Sequence, residues 1–224
     1  MKQFLLLFAV WLLYLQTSFA DWVVSHKTTF GGQGQQMTIM KIKGDKMRVD
    51  MGHVEKGQGL SVVTNGVSGT VVTLMHHSKS MFKTDEESRK GMMARDGGAM
   101  GESKPAVKLV ATGQKEKVGT YDCEVYTWSS QGGSGKFWFA KDFPGCQELN
   151  AAIEKLSNYN APNNHAHYPM PSAYPGMLIK LEMTMSGVSS VVELVSAKEQ
   201  KVDDSAFAVP EDYQEVQTRM LPSK

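Results

Sequence analysis

A nearly regular alternation of apolar and polar side chains around one short turn constrains this fold more than any other feature. Apolar side chains recur at every second position from Met40 and from Met47, and Gly44-Asp45 lies between these two runs. Because successive side chains of a strand point to opposite faces, and Gly-Asp suits a two-residue turn, the segment predicts a β-hairpin with one apolar face. The expected cross-strand pairs are Ile42 with Met47, Met40 with Val49, and Thr38 with Met51.

Similar strand patterns recur further along the chain. Three more hairpins are expected over residues 60–75, 121–140 and 178–196, each with glycine in its turn. One helix is expected over residues 148–157, where leucine and isoleucine recur at helical spacing. These patterns predict a mainly β fold of the α+β class, built from antiparallel strands.

The N-terminus has the features of a secretory signal. Lys2 precedes an apolar run from Phe4 to Leu15, and Ser18-Phe19-Ala20 forms a cleavage site before Asp21. The run of about 12 apolar residues is too short for a membrane-spanning helix, which needs about 20. We therefore expect residues 1–20 to be a signal peptide, residues 21–224 to form a single domain, and the mature protein to be periplasmic or secreted.

Charge and motif content exclude several classes of function. Without the leader, basic and acidic residues are equal in number, so no net positive field attracts nucleic acid. No second long apolar segment follows the leader, which argues against a protein that spans the membrane. Nucleophile-elbow, zinc-protease and nucleotide-binding motifs are absent from the sequence, so we predict neither an enzyme nor a cofactor. A hydrolase whose catalytic residues converge only in space stays an alternative.

The chain contains two cysteines, Cys123 and Cys146. An even number of cysteines in an exported protein favours a disulfide between them. The alternative is a pair of separate buried thiols.

A cluster of potential metal ligands offers a second function. His165 and His167 alternate in a segment of extended character, and Met170 follows them. Imidazole and thioether groups are ligands that copper and zinc accept in proteins. A periplasmic metal-binding protein is therefore an alternative, although the same residues also suit a solvated loop.

The apolar side of the first hairpin is the candidate ligand-binding surface. All but one of the 15 methionines belong to the mature chain, and their flexible side chains adapt to irregular apolar ligands. An ordinary core that uses methionine as a gap filler is the competing interpretation. The candidate ligand-binding residues are Met40, Ile42, Met47, Val49 and Met51.

The C-terminal part of the chain resembles a known group of proteins. The run from Val202 to Tyr213, which reads Val-Asp-Asp-Ser-x-Phe-x-Val-Pro-x-x-Tyr, resembles the ending of many secreted bacterial domains. These include an uncharacterised domain-of-unknown-function family and relatives of the periplasmic lipoprotein-localisation carriers. Residues 119–126 and 136–142 are similar to a hairpin of the same group.

This resemblance implies both a shape and a role. The shape is a strongly curved antiparallel sheet that forms an unclosed barrel, with one or two short helices and long loops covering the concave side. In the carriers of this superfamily the cavity receives lipid chains. The resemblance thus implies an exported, non-enzymatic protein that binds or carries an apolar or acylated ligand in the envelope of a Gram-negative bacterium.

Overall fold

One open sheet dominates the molecule. The computed structural model describes residues 21–31, 34–89, 107–130, 132–159 and 169–216. Strands account for 55% of the structure, and twelve of them form a single sheet that does not close into a barrel. All neighbours in the sheet are antiparallel except the two-residue strand at one edge, which pairs in parallel. The predicted fold class, a mainly β protein with an unclosed antiparallel sheet, is confirmed.

The strands form two meanders, β1–β6 and β7–β11, and two long-range pairings, β1 with β11 and β6 with β12, complete the sheet. In the sheet their order is β12-β6-β5-β4-β3-β2-β1-β11-β10-β9-β8-β7, so that the first strand pairs with the eleventh. The strands are β1 (Trp22–Phe30), β2 (Gly34–Lys43), β3 (Lys46–Met51), β4 (Leu60–Asn65), β5 (Thr70–Met75), β6 (Ser80–Thr84), β7 (Val110–Val118), β8 (Tyr121–Ser130), β9 (Gly133–Ala140), β10 (Met177–Met185), β11 (Val188–Glu199) and β12 (Gln214–Glu215).

The β2–β3 hairpin has the register that the sequence predicts. Its turn is made by residues 44 and 45, and Gly44 has a positive φ of 52°, a conformation that glycine adopts without a steric penalty. All three predicted cross-strand pairs are present in this hairpin: Ile42 with Met47, Met40 with Val49, and Thr38 with Met51. The alternation therefore predicted both the strands and their register correctly.

Besides a helical segment at residues 86–89, a helix of three turns, α1 (Cys146–Ser157), packs against the sheet. It contacts both β3 and β10, which are four places apart in the sheet, so the sheet must curve around it. The predicted helix over residues 148–157 is confirmed and begins two residues earlier. Its Leu149 and Leu156 are fully buried in a core that also contains Trp22 and Val24.

The C-terminal strap, residues 200–213, covers the opposite face of β3–β6. Val202 and Phe207 are buried against Val63 and Leu74. Val63 alternates along β4 with Thr64, which lies opposite the core residue Met47, so the strap and α1 lie on different faces. The C-terminal motif is thus explained as the apolar side chains and turns that fix this strap.

The two cysteines are unbridged in the structure, in place of the predicted disulfide. Both lie in the same apolar core, and the Cys123 thiol donates to the carbonyl oxygen of Tyr121 on its own strand, at 3.7 Å. Burial raises the pKa of both thiols. They therefore fill the core as small apolar groups.

The predicted signal peptide, residues 1–20, lies outside the described residues. Within the described ranges, no helix is long and apolar enough to cross a membrane.

Candidate functional site

Side chains that lie directly opposite one another on neighbouring strands share a face, so the registers of β2–β6 define rows across the sheet. The middle row runs over five strands, and all its members are half-buried. It consists of Met40, Val49, Val62, Thr73 and Phe82. Four of these five side chains are apolar, and none is charged.

An outer row lies two residues further along each strand on the same face. It begins at β1 and is also half-buried. Its members are His26, Thr38, Met51, Leu60 and Met75. Together the middle and outer rows form what we call the apolar face.

An inner row on the same side is closed off by α1. Its first members, Ile42 and Met47, are buried in the core together with the helix residue Leu156. The row continues through the buried Thr64 and Val71. Helix α1 therefore removes this row from solvent and leaves the other two partly open.

The five predicted ligand-binding residues consequently fall into two groups. Ile42 and Met47 belong to the core, whereas Met40, Val49 and Met51 lie on the apolar face. The structure adds Val62 and Phe82, which the sequence interpretation did not single out. Their strands were recognised, but the face to which each side chain points depends on a register that runs through two further hairpins.

The apolar face is long enough for an extended hydrocarbon chain. From His26 on β1 to Met75 on β5 the outer row crosses five strands. With strands about 4.8 Å apart, it measures about 19 Å. A zigzag of about 16 carbons, with bonds of about 1.5 Å, has a similar length.

His26 is the one titratable side chain in the two rows. Its neighbours across the sheet are Thr38 and Leu194, and Val24 precedes it on the same face of β1. Among the described residues, the imidazole has neither a hydrogen-bond nor an ion-pair partner. Desolvation by burial lowers the pKa of His26 to about 4, so the ring is neutral at pH 7.

The face of the sheet under the strap contains a second histidine, His76, whose two ring nitrogens both have hydrogen-bond partners. Arg48 donates from Nε to Asp50 Oδ1 at 2.6 Å and from Nη2 to Ser61 Oγ at 3.1 Å. Ser61 Oγ donates to the same Asp50 oxygen at 2.5 Å and lies 2.6 Å from His76 Nε2. The other ring nitrogen, Nδ1, lies 2.6 Å from the hydroxyl of Tyr213 in the strap. These five residues form what we call the strap network.

The proton positions in the strap network follow from its donors. Because Ser61 Oγ donates to Asp50, it accepts from His76 Nε2–H, and the Tyr213 hydroxyl then donates to Nδ1. This assignment makes His76 a neutral imidazole with both nitrogens satisfied. Desolvation, and secondarily the positive charge of Arg48, lower the pKa of His76. The network therefore ties the strap to the sheet through uncharged histidine.

The Ser61–His76 pair does not have the access that a nucleophile needs. Ser61 is fully buried, and its hydroxyl is committed to Asp50. Arg48 fixes the strap above it, because Nη1 donates to the carbonyl oxygen of Ala206 at 3.2 Å. The arrangement is suited to holding the strap rather than to attacking a substrate.

The residues of the predicted metal site are only partly described. His165 and His167 lie outside the described residues, and Met170 is half-buried just before a short 3-10 turn. Over the ranges that the structure covers, no group of three or more His, Cys, Asp or Glu side chains is placed to hold a metal ion.

A cleft of about 510 Å³ lies over β8–β11, away from the apolar face. Its lining is mixed, with hydroxyl, charged and apolar side chains from Thr127, Ser134, Thr184, Ser189, Glu182, Lys136, Trp128, Met183 and Val191. Because charged side chains stand in this lining and none stands in the two rows on β1–β6, the rows are better suited to a wholly apolar chain.

Comparison with known proteins identifies the family but no activity. The family model described as "Domain of unknown function (DUF4412)" matches residues 23–213. No curated protein matches the sequence. The prediction of a domain-of-unknown-function family is confirmed by the family match, and a lipoprotein-sorting domain is among the similar structures.

Several solved structures are similar in fold. An uncharacterised conserved protein from Thermus thermophilus has a TM-score of 0.54 and 10% identity over 89% of this chain and 91% of its own. PNGF-II has a TM-score of 0.43 and 14% identity over 89% of this chain, which spans only 31% of the length of PNGF-II. A lipoprotein-sorting protein domain from Vibrio parahaemolyticus has a TM-score of 0.32 and 10% identity, with coverage of 85% and 90%. The Thermus structure shows a shared fold.

Proposed function

We propose that this chain, which belongs to the DUF4412 family, is a non-enzymatic protein that binds an acyl chain or a similar apolar ligand in the bacterial envelope. One observation carries the proposal. Two adjacent rows of half-buried, uncharged side chains lie on the side of the sheet that curves around α1, where Met40 and Val49 flank the core and the row beside them is buried.

The energetics favour such a ligand. Transfer of an acyl chain from water onto an apolar surface gains about 0.8 kcal/mol for each methylene that is buried. Met40, Met51 and Met75 line the surface, and their thioether side chains change rotamer readily to follow a flexible chain. Affinity of this kind needs few fixed polar groups, which is consistent with the absence of a sequence motif.

The envelope location rests on sequence features. Residues 1–20 have the charge, apolar run and cleavage site of a signal peptide. The ending from Val202 to Tyr213 resembles that of periplasmic carriers. Removal of residues 1–20 would leave β1 beginning near the new N-terminus, at Trp22, so the proposed cleavage keeps the sheet intact.

Lipid uptake by the delipidated protein tests the proposal. We expect native mass spectrometry to detect one bound 1-monopalmitoylglycerol per chain, and the variant Val62→Asp to lose it because a carboxylate would stand in the middle row. Val67→Asp is the matched control, since Val67 lies in the β4–β5 turn and is 81% exposed. Met75→Lys tests the outer row, and circular dichroism establishes that each variant is folded. Wild-type protein that takes up no lipid would refute the proposal.

The metal-binding and hydrolase alternatives stay predictions from the sequence. The first depends on His165, His167 and Met170, and titration of Cu(I) and Zn(II) against a double His→Ala variant tests it. A broad esterase and peptidase screen tests the second.

A further inference from the structure

We propose that His26 is the polar anchor of the ligand: its neutral imidazole N–H donates a hydrogen bond to the carbonyl oxygen of an acyl ester or amide. This inference rests on the proposed function, because it concerns the head of a ligand whose chain lies along the apolar face. It specifies the ligand class as uncharged acylated molecules.

The first argument is the unmet hydrogen-bonding capacity of the ring. The same-face neighbours of His26 are Val24, Leu194 and Thr38, and no described residue donates to it or accepts from it. The ring is half-buried, so only part of it meets water. A ligand acceptor at this position gives the ring N–H a hydrogen bond in a setting less polar than bulk water, where such a bond is stronger.

The second argument is the absence of charge on the apolar face. Neither row contains an acidic or basic side chain apart from the neutral His26. A carboxylate or phosphate placed there would lose its hydration without gaining a counter-ion, which is strongly unfavourable. An ester or amide carbonyl accepts the same hydrogen bond without that penalty.

The third argument is the position of the ring within its row. His26 lies on β1, with Leu194 of β11 on one side and four strands extending on the other side to Met75. A head group bound at His26 has room for its chain along Thr38, Met51 and Leu60. Anchor and chain site are parts of one continuous surface.

The experiment compares three probes that share a sixteen-carbon skeleton: 1-monopalmitoylglycerol, hexadecane and palmitate. For His26→Leu we expect the affinity for the ester to fall about tenfold, the effect of one hydrogen bond, while that for hexadecane does not fall. At pH 7 the wild-type protein should bind the ester more tightly than palmitate. His77→Leu is the matched control, because His77 is exposed in the β5–β6 turn.

A second readout follows the ring directly. We expect the imidazole N–H resonance of His26 in ¹⁵N-edited spectra to move downfield and resist exchange when the ester binds, but not when hexadecane binds. An unchanged ester affinity in His26→Leu would overturn the anchor while leaving the chain site intact, provided that Val62→Asp still abolishes uptake. Tighter binding of palmitate than of the ester would overturn the neutral ligand class. Failure of all three probes to bind would overturn the proposed function itself.

Discussion

The two faces of the sheet place their histidines in opposite environments. On the face under the strap, His76 is held between Ser61 and Tyr213 with both ring nitrogens satisfied. On the apolar face, His26 lies among apolar neighbours with no partner among the described residues. Both rings are kept neutral by desolvation, yet only one of them contributes hydrogen bonds to the fold.

This difference separates a folding role from a binding role. A satisfied polar network stabilises the contact that it makes, and here it joins a segment more than 130 residues away in sequence to the sheet. An unsatisfied polar group stabilises nothing until another molecule supplies its partner. The strap network is thus satisfied within the chain, whereas the ring of His26 is available to a ligand of the proposed kind.

The largest effect is expected from breaking the strap network at Arg48. Arg48→Leu should lower the free energy of unfolding by about 4 kcal/mol, because Asp50, which is 13% exposed, then keeps only the longer 3.7 Å pair with Lys41, and the carbonyl oxygen of Ala206 loses its donor. Urea denaturation measures this change. Lys79→Leu is the control, since the Lys79–Asp212 pair is exposed and screened by solvent, so its loss should change the free energy of unfolding far less. Equal losses in the two variants would contradict the importance of the network.

A somewhat smaller loss of stability is expected when the pH is lowered. The pKa of His26 in the folded protein is about 4, below the 6.5 of an unperturbed histidine, so between these values only the unfolded chain takes up the proton. The contribution of His26 to the free energy of unfolding should therefore be fully present above pH 6.5. It should fall by about 3 kcal/mol as the pH is lowered to 4.

Substitution of the ring isolates the contribution of His26 to this pH dependence. His26→Leu should remove most of the slope between pH 6.5 and 4 and leave the part that comes from His76, whose pKa is also lowered. His77→Leu should retain the wild-type slope. If His26→Leu and wild type lost stability equally over this range, His26 would not be the desolvated ring that the structure describes.

Loss of the Tyr213 hydroxyl in the strap should lower stability modestly. Tyr213→Phe removes the donor to His76 Nδ1 and should cost about 1 kcal/mol, measured as a shift of the urea midpoint at constant slope. Tyr121→Phe is the matched control, because the Tyr121 ring packs against Phe143 at 6.1 Å and this contact survives the substitution. A Tyr213→Phe variant as stable as wild type would remove Tyr213 from the network.

Reduction of the protein should have no effect on its stability. Because Cys123 and Cys146 are unbridged and buried, reductant should leave the Tm unchanged. A thiol reagent should label neither in the folded protein and both in the unfolded, unreduced protein. An unfolded, unreduced chain without labelled thiols would show a disulfide instead.

The sequence was informative wherever a structural constraint is local. The register of Met40 with Val49 follows from two-residue periodicity and one turn, and both can be read from adjacent residues. The same periodicity placed Ile42 and Met40 on one face but could not reveal that, in a core shared with α1 about a hundred residues later, Ile42 is buried and Met40 only partly buried. Whether a side chain is covered by another element depends on the tertiary structure, and the alternation of apolar and polar residues contains no information about it.

The environments of His26 and His76 could not be predicted from the sequence for the same reason. His76 meets Tyr213 only because the strap crosses the sheet, and no spacing rule links positions so far apart. His26 alternates with Val24 in β1, a signal that could have placed it on the apolar side. The C-terminal motif was recognised by resemblance, and its physical meaning became clear only with Val202 and Phe207 buried on the sheet.

The most direct test of the account uses the methionine methyl groups as reporters of both faces in one sample. The methyl ester of doxyl-stearic acid, a paramagnetic acyl ester, should broaden the methyl signals of Met40, Met51 and Met75 on the apolar face. It should broaden Met81, which packs under the strap on the other face, less than these three. Broadening of Met81 with the other three unchanged, or no broadening of any methyl group, would contradict the claim that the apolar face binds an acyl chain.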